Sequence, residues 1–336
     1  MSADGVPSHD DRLQGAGDRA FRVLVLFLTF DPEKTKGVRA VLGDFFKARE
    51  GIEFTVVEID NANEQREWQS ASTEGWPCRA FAVGGDNTAH EFTGWDRGWR
   101  EVRARLPETF DVVLMVNDAL ANSKPLEALE AIDADIIRQL PAQKTVLGWV
   151  DTFSRVNPDP LDTLAQPMRI GGQACLKWLC TTFFMVPRSV FEKLYPVTSF
   201  STANEVFTRY CPEKPFRESA PLSQNYQEFL YTHQTKVWRR GDKRGYVLSE
   251  TTFPLFKNKV RNILNEHALS IKLWKLGVGH VNLAIFDRPS RGLGIKHDQV
   301  KGSAGTRLRK LRLLSWRQFF HEVIPPLLKR RGLRSS

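Results

Sequence analysis

Cysteine is scarce in this 336-residue chain, occurring only as Cys78, Cys175, Cys180 and Cys211 with no CxxC pair among them. A disulfide scaffold is thereby excluded, no zinc or dithiol centre is suggested, and buried reduced thiols are expected. Long apolar runs are missing as well. The best, Phe21 to Phe30, is interrupted at Arg22 and falls far short of the roughly 18 residues a membrane-spanning helix needs. The first twenty residues, MSADGVPSHDDRLQGAGDRA, hold no apolar stretch of the kind a secretory signal carries. A polar, disordered leader over 1–20 and a cytoplasmic location are the expectations. Familiar catalytic signatures fail too. His90-Glu91 and His321-Glu322 each open an HExxH pattern, but Gly94 and Pro325 stand where the second histidine belongs. There is no GxxxxGK[ST] phosphate loop, Gly302-Ser303-Ala304-Gly305 has the wrong spacing for a nucleophile elbow, and Gly84-Gly85-Asp86 lacks the third glycine of a dinucleotide fingerprint.

What is present is ordinary globular material. Hydrophobic residues make up 41% and charged ones 26%, with a mean hydropathy of -0.35, which supplies a core and rules out a mostly disordered or fibrous chain. The charge is uneven. Of 48 Lys and Arg, twelve fall within 291–336, where only Asp298 and Glu322 oppose them; 36 basic groups are left against 37 of the 39 acidic ones elsewhere. The net +9 therefore belongs to the tail, attached to a near-neutral body.

Along that body strands alternate with helices. FRVLVLFLTF (21–30) is apolar enough for a strand buried on both faces, Asp31-Pro32 breaks it, and Val38, Val41, Leu42, Phe45 and Phe46 then recur at helical spacing. IEFTVVEID (52–60) predicts a second strand ending at Asp60-Asn61. CRAFAVGGDN (78–87) predicts a strand and a glycine loop, and Phe92 to Leu106 a helix. FDVVLMVND (110–118) follows as a strand, then Leu126 to Leu140 as a helix and KTVLGWVD (144–151) as a strand. The second half is less regular, with a strand over 176–186 and helices over 187–195, 222–237 and 256–276. Glycine, proline and charge over 287–305 suggest a linker. The pattern is that of an α/β sheet.

The main signal is a set of acid and amide residues at successive strand ends: Asp60-Asn61, Asp86-Asn87, Asn117-Asp118 and Asp151. In a doubly wound sheet the carboxyl ends of parallel strands share one edge, so these groups would converge on one crevice. For any single pair the turn preference of Asp and Asn is the commoner explanation. Recurrence at several ends moves the balance toward a site. Such an arrangement suits a nucleotide-sugar donor, because Mg²⁺ on a diphosphate takes one or two carboxylates plus phosphate oxygens.

The order VLVLFLTF, helix, VVEIDNANE, GGDNTAHEFTGWDRGW and FDVVLMVND resembles the nucleotide-sugar half of GT-A glycosyltransferases, especially bacterial family-2-like enzymes of surface-polysaccharide assembly. FKNKVRNILNEHALSIKLWKLG is similar to the C-terminal helical segment of rhamnan-synthesis-type relatives. The resemblance covers about residues 20 to 280. It implies a GT-A-like, mostly parallel sheet flanked by helices over 21–286, with a helical C-terminal extension, and sugar transfer from a nucleotide-diphosphate donor to a surface-polysaccharide or lipid-linked glycan acceptor. Carried over by position, Asp60 and Asn61 would contact the donor base, Asp86 and Asn87 would lie by the nucleotide, and Asp118 would hold a divalent cation, Mg²⁺ or Mn²⁺. The triplet here reads Val116-Asn117-Asp118, so valine replaces the first carboxylate of the family's DxD. A catalytically silent GT-A-like protein that binds glycans or partners in an assembly complex is the alternative.

Inverting transfer requires a carboxylate to take the acceptor's proton. Glu228 in QNYQEFLYTHQ and Glu205 in STANEVF are candidates, Glu228 preferred for its likeness to the family's acceptor-side helix, with a solvated helix-face charge as the bland reading of either. His233 projects from a different direction and reads as structural. Trp95 and Trp99, four apart in GWDRGW, share a helix face that packs on a sheet more often than it stacks on a ligand. In the tail over 306–336, Trp316, Phe319, Phe320, Val323 and Ile324 fall on one side of a helical projection beside the basic excess. That combination fits either attachment to an anionic membrane surface, peripherally on the inner face of the cytoplasmic membrane, or a helix packed on the body. A nucleic-acid partner is not expected, since no recognition motif accompanies the charge.

Overall fold

The computed structural model describes residues 19–71, 75–123, 125–153, 167–235 and 245–285. Nearly all of the leader, the linker over 287–305 and the basic tail over 306–336 lie outside the described residues.

The sequence run at 21–30 forms β1 (Phe21–Thr29), and β2 (Ile52–Asp60) matches its expected bounds; α1 (Pro32–Lys47) connects them. Asp31 starts α1 by accepting hydrogen bonds from the amides of Glu33 and Lys34 at 3.1 and 3.4 Å, and Pro32 gives up no helix hydrogen bond in the first turn. Next come β3 (Gln69–Ser70), β4 (Arg79–Gly84), α2 (Glu91–Arg105) and β5 (Val112–Asn117). The helix expected over 126–140 is broken into α3 (Pro125–Ala128), a single 3₁₀ turn and α4 (Ala134–Gln143). The physical reason is Asp133, whose carboxylate accepts from the Ile136 amide at 2.8 Å and so opens a new helix start. Then follow β6 (Thr145–Thr152), a small hairpin of β7 (Met168–Ile170) and β8 (Gln173–Cys175), β9 (Lys177–Pro187), α5 (Arg188–Leu194), α6 (Gln224–Thr235), α7 (Phe253–Lys275) and β10 (Gly279–Asn282).

Eight strands form one sheet in the order β10-β6-β9-β5-β1-β2-β4-β3. Within it β9 and β3 run antiparallel to their neighbours and the other six run the same way. β1 is central, and its alternating side chains feed two cores. Val23, Val25 and Phe27 pack with α1 and α4, while Leu24, Leu26 and Leu28 pack with α2, α5 and α7. A third core collects around Phe153, α6 and the first half of α7, with Phe207, Phe216, Tyr226, Phe253 and Phe256. Residues 94 and 98 of α2 must be glycine for the helix to sit this close to the sheet. A Cβ at Gly98 would come within 2.5 Å of Ile59 Cδ1, and one at Gly94 would collide with Leu28.

Candidate functional site

Register places the strand ends level. Thr29 of β1 lies opposite Asp60 of β2, Asp60 opposite Gly84 of β4, and Leu28 opposite Asn117 of β5. The polar residues after each strand are therefore brought to one edge, and local bonds lock them there. The Asn61 amide donates to Thr29 O at 2.9 Å, and the Gly85 amide to Asp60 O at 2.8 Å. Asn61 Nδ2 donates to Asn87 Oδ1 at 2.9 Å and to His90 O at 3.0 Å. Gly85 permits this approach, since a Cβ there would strike the Asn61 side chain and stand 2.9 Å from its Cα.

Each sequence-predicted residue then has a definite setting. Asp60 is partly exposed, accepts from the Ala62 amide at 3.2 Å and faces Arg66 at 3.5 Å. Asp86 accepts from the amide and hydroxyl of Thr88 at 3.0 and 2.8 Å. Burial works to raise its pKa, but hydrogen bonds from Thr93 and Thr88 and the Arg97 charge outweigh that, so its carboxyl is held below the usual value. Asn87 is exposed and Asn61 buried. Asp118 is buried, and its Oδ2 accepts from the amides of Phe30 and Asp31 at 2.8 and 2.7 Å. The carboxylate thus fastens the turn between β1 and α1 to the end of β5. Asn117 Oδ1 accepts from the Ala119 amide at 3.1 Å. Asp151 accepts from the Thr152 amide at 2.9 Å at the end of β6.

Glu228 stands apart, on the exposed face of α6, where it accepts from Gln224 Nε2 at 3.0 Å. Glu205 is likewise exposed and accepts from Thr202 Oγ1 at 2.9 Å. Neither is hydrogen-bonded or ion-paired to the strand-end group among the described residues. Trp95 and Trp99 are core residues, 0% and 2% exposed, with Trp95 edge-on to Phe184 and Trp99 edge-on to Phe191. His233 stacks on Phe229.

A second polar group, unforeseen from the sequence, adjoins this edge. Glu91 opens α2, and its Oε1 accepts from Thr181 Oγ1 at 2.9 Å and from Asn262 Nδ2 at 3.3 Å. The same Thr181 hydroxyl lies 3.1 Å from Glu266 Oε1, which also accepts the Thr181 amide at 2.9 Å. A hydroxyl has one proton and cannot donate to two carboxylates. It donates to one of them at a time, and Glu266 is the carboxyl on which a proton is favoured: burial first, and the neighbouring Glu91 charge, raise it to about 7 against the Thr181 hydrogen bonds. Beside it, His90 holds φ 53 and ψ -129, a backbone state that a non-glycine residue seldom adopts. The one available sequence signal was the spacing Asn258, Arg261, Asn262, Asn265 and Glu266, a polar stripe on an otherwise apolar helix.

An open groove of about 690 Å³ lies at the opposite, amino end of the strands, lined by Arg22, Glu53, Cys78, Arg79 and Glu108. Its charges are already matched, Arg22 with Glu53 at 2.9 Å and Arg79 with Glu108. Burial pushes the Cys78 thiol up to about 11, so it is no nucleophile at neutral pH.

No protein-family model matches the chain. No curated protein matches it either. Among solved structures, the mannosyltransferase PcManGT from Pyrobaculum calidifontis, in complex with GDP-Man and Mn2+, is similar at 14% identity and a TM-score of 0.28, over 88% of this chain and 80% of that one. A likeness of that degree carries no argument about fold or chemistry.

Among the described residues no group of three or more His, Cys, Asp or Glu could hold a metal ion, and no helix is long and apolar enough to cross a membrane. The Asp118 corner is a poor cradle for a dication. One carboxylate oxygen is taken by two amides, Asn117 Oδ1 caps the following turn, and the Lys34 ammonium is close enough for Asp118 to favour its charged form.

Proposed function

We propose that this chain is a GT-A-like glycosyltransferase that moves a sugar from a nucleotide-diphosphate donor to a surface-polysaccharide or lipid-linked glycan acceptor, by inversion. The observation that carries this reading is the level alignment of three strand ends, which lines up Asp60-Asn61, Asp86-Asn87 and Asn117-Asp118 along one edge. In this reading Asp60 and Asn87, both with surface exposure, take the hydroxyl and amide groups of base and ribose, while buried Asn61 keeps their loops in place. Asp118 acts by shaping the turn after β1 through its bonds to Phe30 and Asp31. Glu228 is the proposed proton acceptor, reached by an acceptor glycan lying across α6. Positive charge in the tail over 306–336 would bring the crevice to an anionic membrane surface at the inner face of the cytoplasmic membrane.

Calorimetry with UDP, GDP and dTDP tests the reading. One nucleoside diphosphate should bind, and Asp60→Ala should weaken it by about tenfold, the worth of a hydrogen bond to a charged group. No binding of any of them would remove the transferase reading. The alternative, a catalytically silent GT-A-like glycan- or partner-binding protein, is favoured by the commitment of Asp118 to main-chain amides. Release of free sugar or transfer product from a bound donor would exclude it.

A further inference from the structure

A diphosphate brings two or more negative charges, and the Asp118 corner does not fit the divalent cation that would offset them. A cation that makes no ion pair among the described residues lies within the field of Asp86, at the same edge. Arg261 is 8% exposed; its Nη1 donates to Ser201 O at 3.1 Å and its Nη2 to Asn258 Oδ1 at 3.2 Å, both neutral acceptors. Its Nε is buried with no partner, and Arg261 makes no ion pair among the described residues. Leaving a guanidinium buried on neutral partners costs several kcal/mol. Burial accordingly lowers its pKa, opposed by the charge of Asp86.

The start of α2 adjoins this stretch of α7, where Asn262 Nδ2 donates to Glu91 Oε1 at 3.3 Å. His90 Nε2 is buried without a partner, and its ring pKa is lowered by burial first, with the Glu91 charge raising it and the Lys259 and Arg261 charges lowering it again. Lys259 is exposed. α2 begins at this point, with no side-chain hydrogen bond from its cap residue His90 and with Glu91 in its first turn. Two acids share the neighbourhood, Glu91 accepting from Thr181 and Asn262 and Asp86 from Thr88, all of them neutral donors.

We propose that Arg261, Lys259 and His90, at the amino end of α2, form a binding site for phosphate oxygens that works without a metal ion. Given the transferase reading, the ligand is the donor's diphosphate, held by side-chain cations as it departs. The site itself would accept any compact phosphate oxyanion.

Inorganic pyrophosphate is the probe, titrated calorimetrically into the full chain in EDTA and again in Mn²⁺. Binding in EDTA, with no requirement for added Mn²⁺, is expected. Arg261→Gln should weaken it by about tenfold or more, as expected for a charge-assisted bond, and the exposed Lys259→Gln by about threefold. Should Arg261→Gln fail to fold, Lys259→Gln decides, since nothing in the core depends on it. Binding seen only with Mn²⁺, no pyrophosphate binding at all, or wild-type affinity in the variants would each overturn the inference. Pyrophosphate binding without any nucleoside diphosphate binding would leave this site standing and remove the transferase reading instead.

Discussion

The raised pKa of Glu266 should show itself in the pH dependence of stability. In the unfolded chain Glu266 titrates at its ordinary value of 4.5, and in the fold at about 7. Its folded pKa is raised, so below about 4.5 both states hold the proton and stability is full. As pH climbs, the unfolded chain releases the proton first, and stability falls until both states are ionised above about 7. The difference is on the order of 3 kcal/mol, at 1.36 kcal/mol per pKa unit. Glu266→Gln tests this directly. Its side chain is uncharged at every pH, and its carbonyl oxygen, at the place of Glu266 Oε1, can still accept from the Thr181 amide. Urea denaturation from pH 5 to 8 should show the variant gaining roughly 2 to 3 kcal/mol on the wild type across that range. Parallel profiles would refute the raised pKa of Glu266.

Three further outcomes follow from packing and hydrogen bonding. Asp118→Ala frees the buried-side amides of Phe30 and Asp31 and should cost about 1 to 3 kcal/mol in chemical denaturation; wild-type stability would show those bonds to be idle. Gly98→Ala should lose about 1 to 2 kcal/mol against Ile59 despite better helix propensity, whereas Gly37→Ala in α1, with nothing within 4 Å, should gain up to about 1 kcal/mol; equal effects at both sites would contradict the close seating of α2. Tyr226→Phe removes the hydrogen bond to buried His267 Nδ1 and should cost about 1 to 3 kcal/mol, equally at every pH above 5 because burial, with His233 adding to it, already lowers His267 to about 3; a loss confined to acid pH would mean the ring is charged in the fold.

The sheet was legible because its strands are buried on both faces. A continuous run such as Val23 to Leu28 has no other comfortable place, and once β1, β2, β4 and β5 are parallel, the position of Asp60, Asp86 and Asp118 at one edge follows from chain direction alone. Short strands were not legible. Gly279–Asn282 has too few residues to show a period, and it becomes β10 only because β6 offers it a free edge. The broken helix before β6 fails for a related reason. Its apolar spacing is continuous, and a single capping carboxylate at Asp133 competes successfully with one more helical turn.

At the site, location was legible and availability was not. Asp118 lies where the strand pattern put it, yet what its oxygens can do depends on which amides come to meet them, and Phe30 and Asp31 are 88 and 87 residues away in sequence. The polar stripe of α7 makes the same point from the other side. Asn258, Arg261, Asn262, Asn265 and Glu266 look like the solvated face of an amphipathic helix, since charged residues are seldom buried. Here Arg261 and Asn265 are buried and Glu266 is pressed against Thr181, because the apolar surface of α7 is too wide to be covered by one layer and the helix is enclosed by β9, α2 and the third core. The stripe costs burial energy and holds a guanidinium bonded only to neutral acceptors, with its Nε unpartnered, which is why the search for bound phosphate begins at Arg261 and not at Asp118.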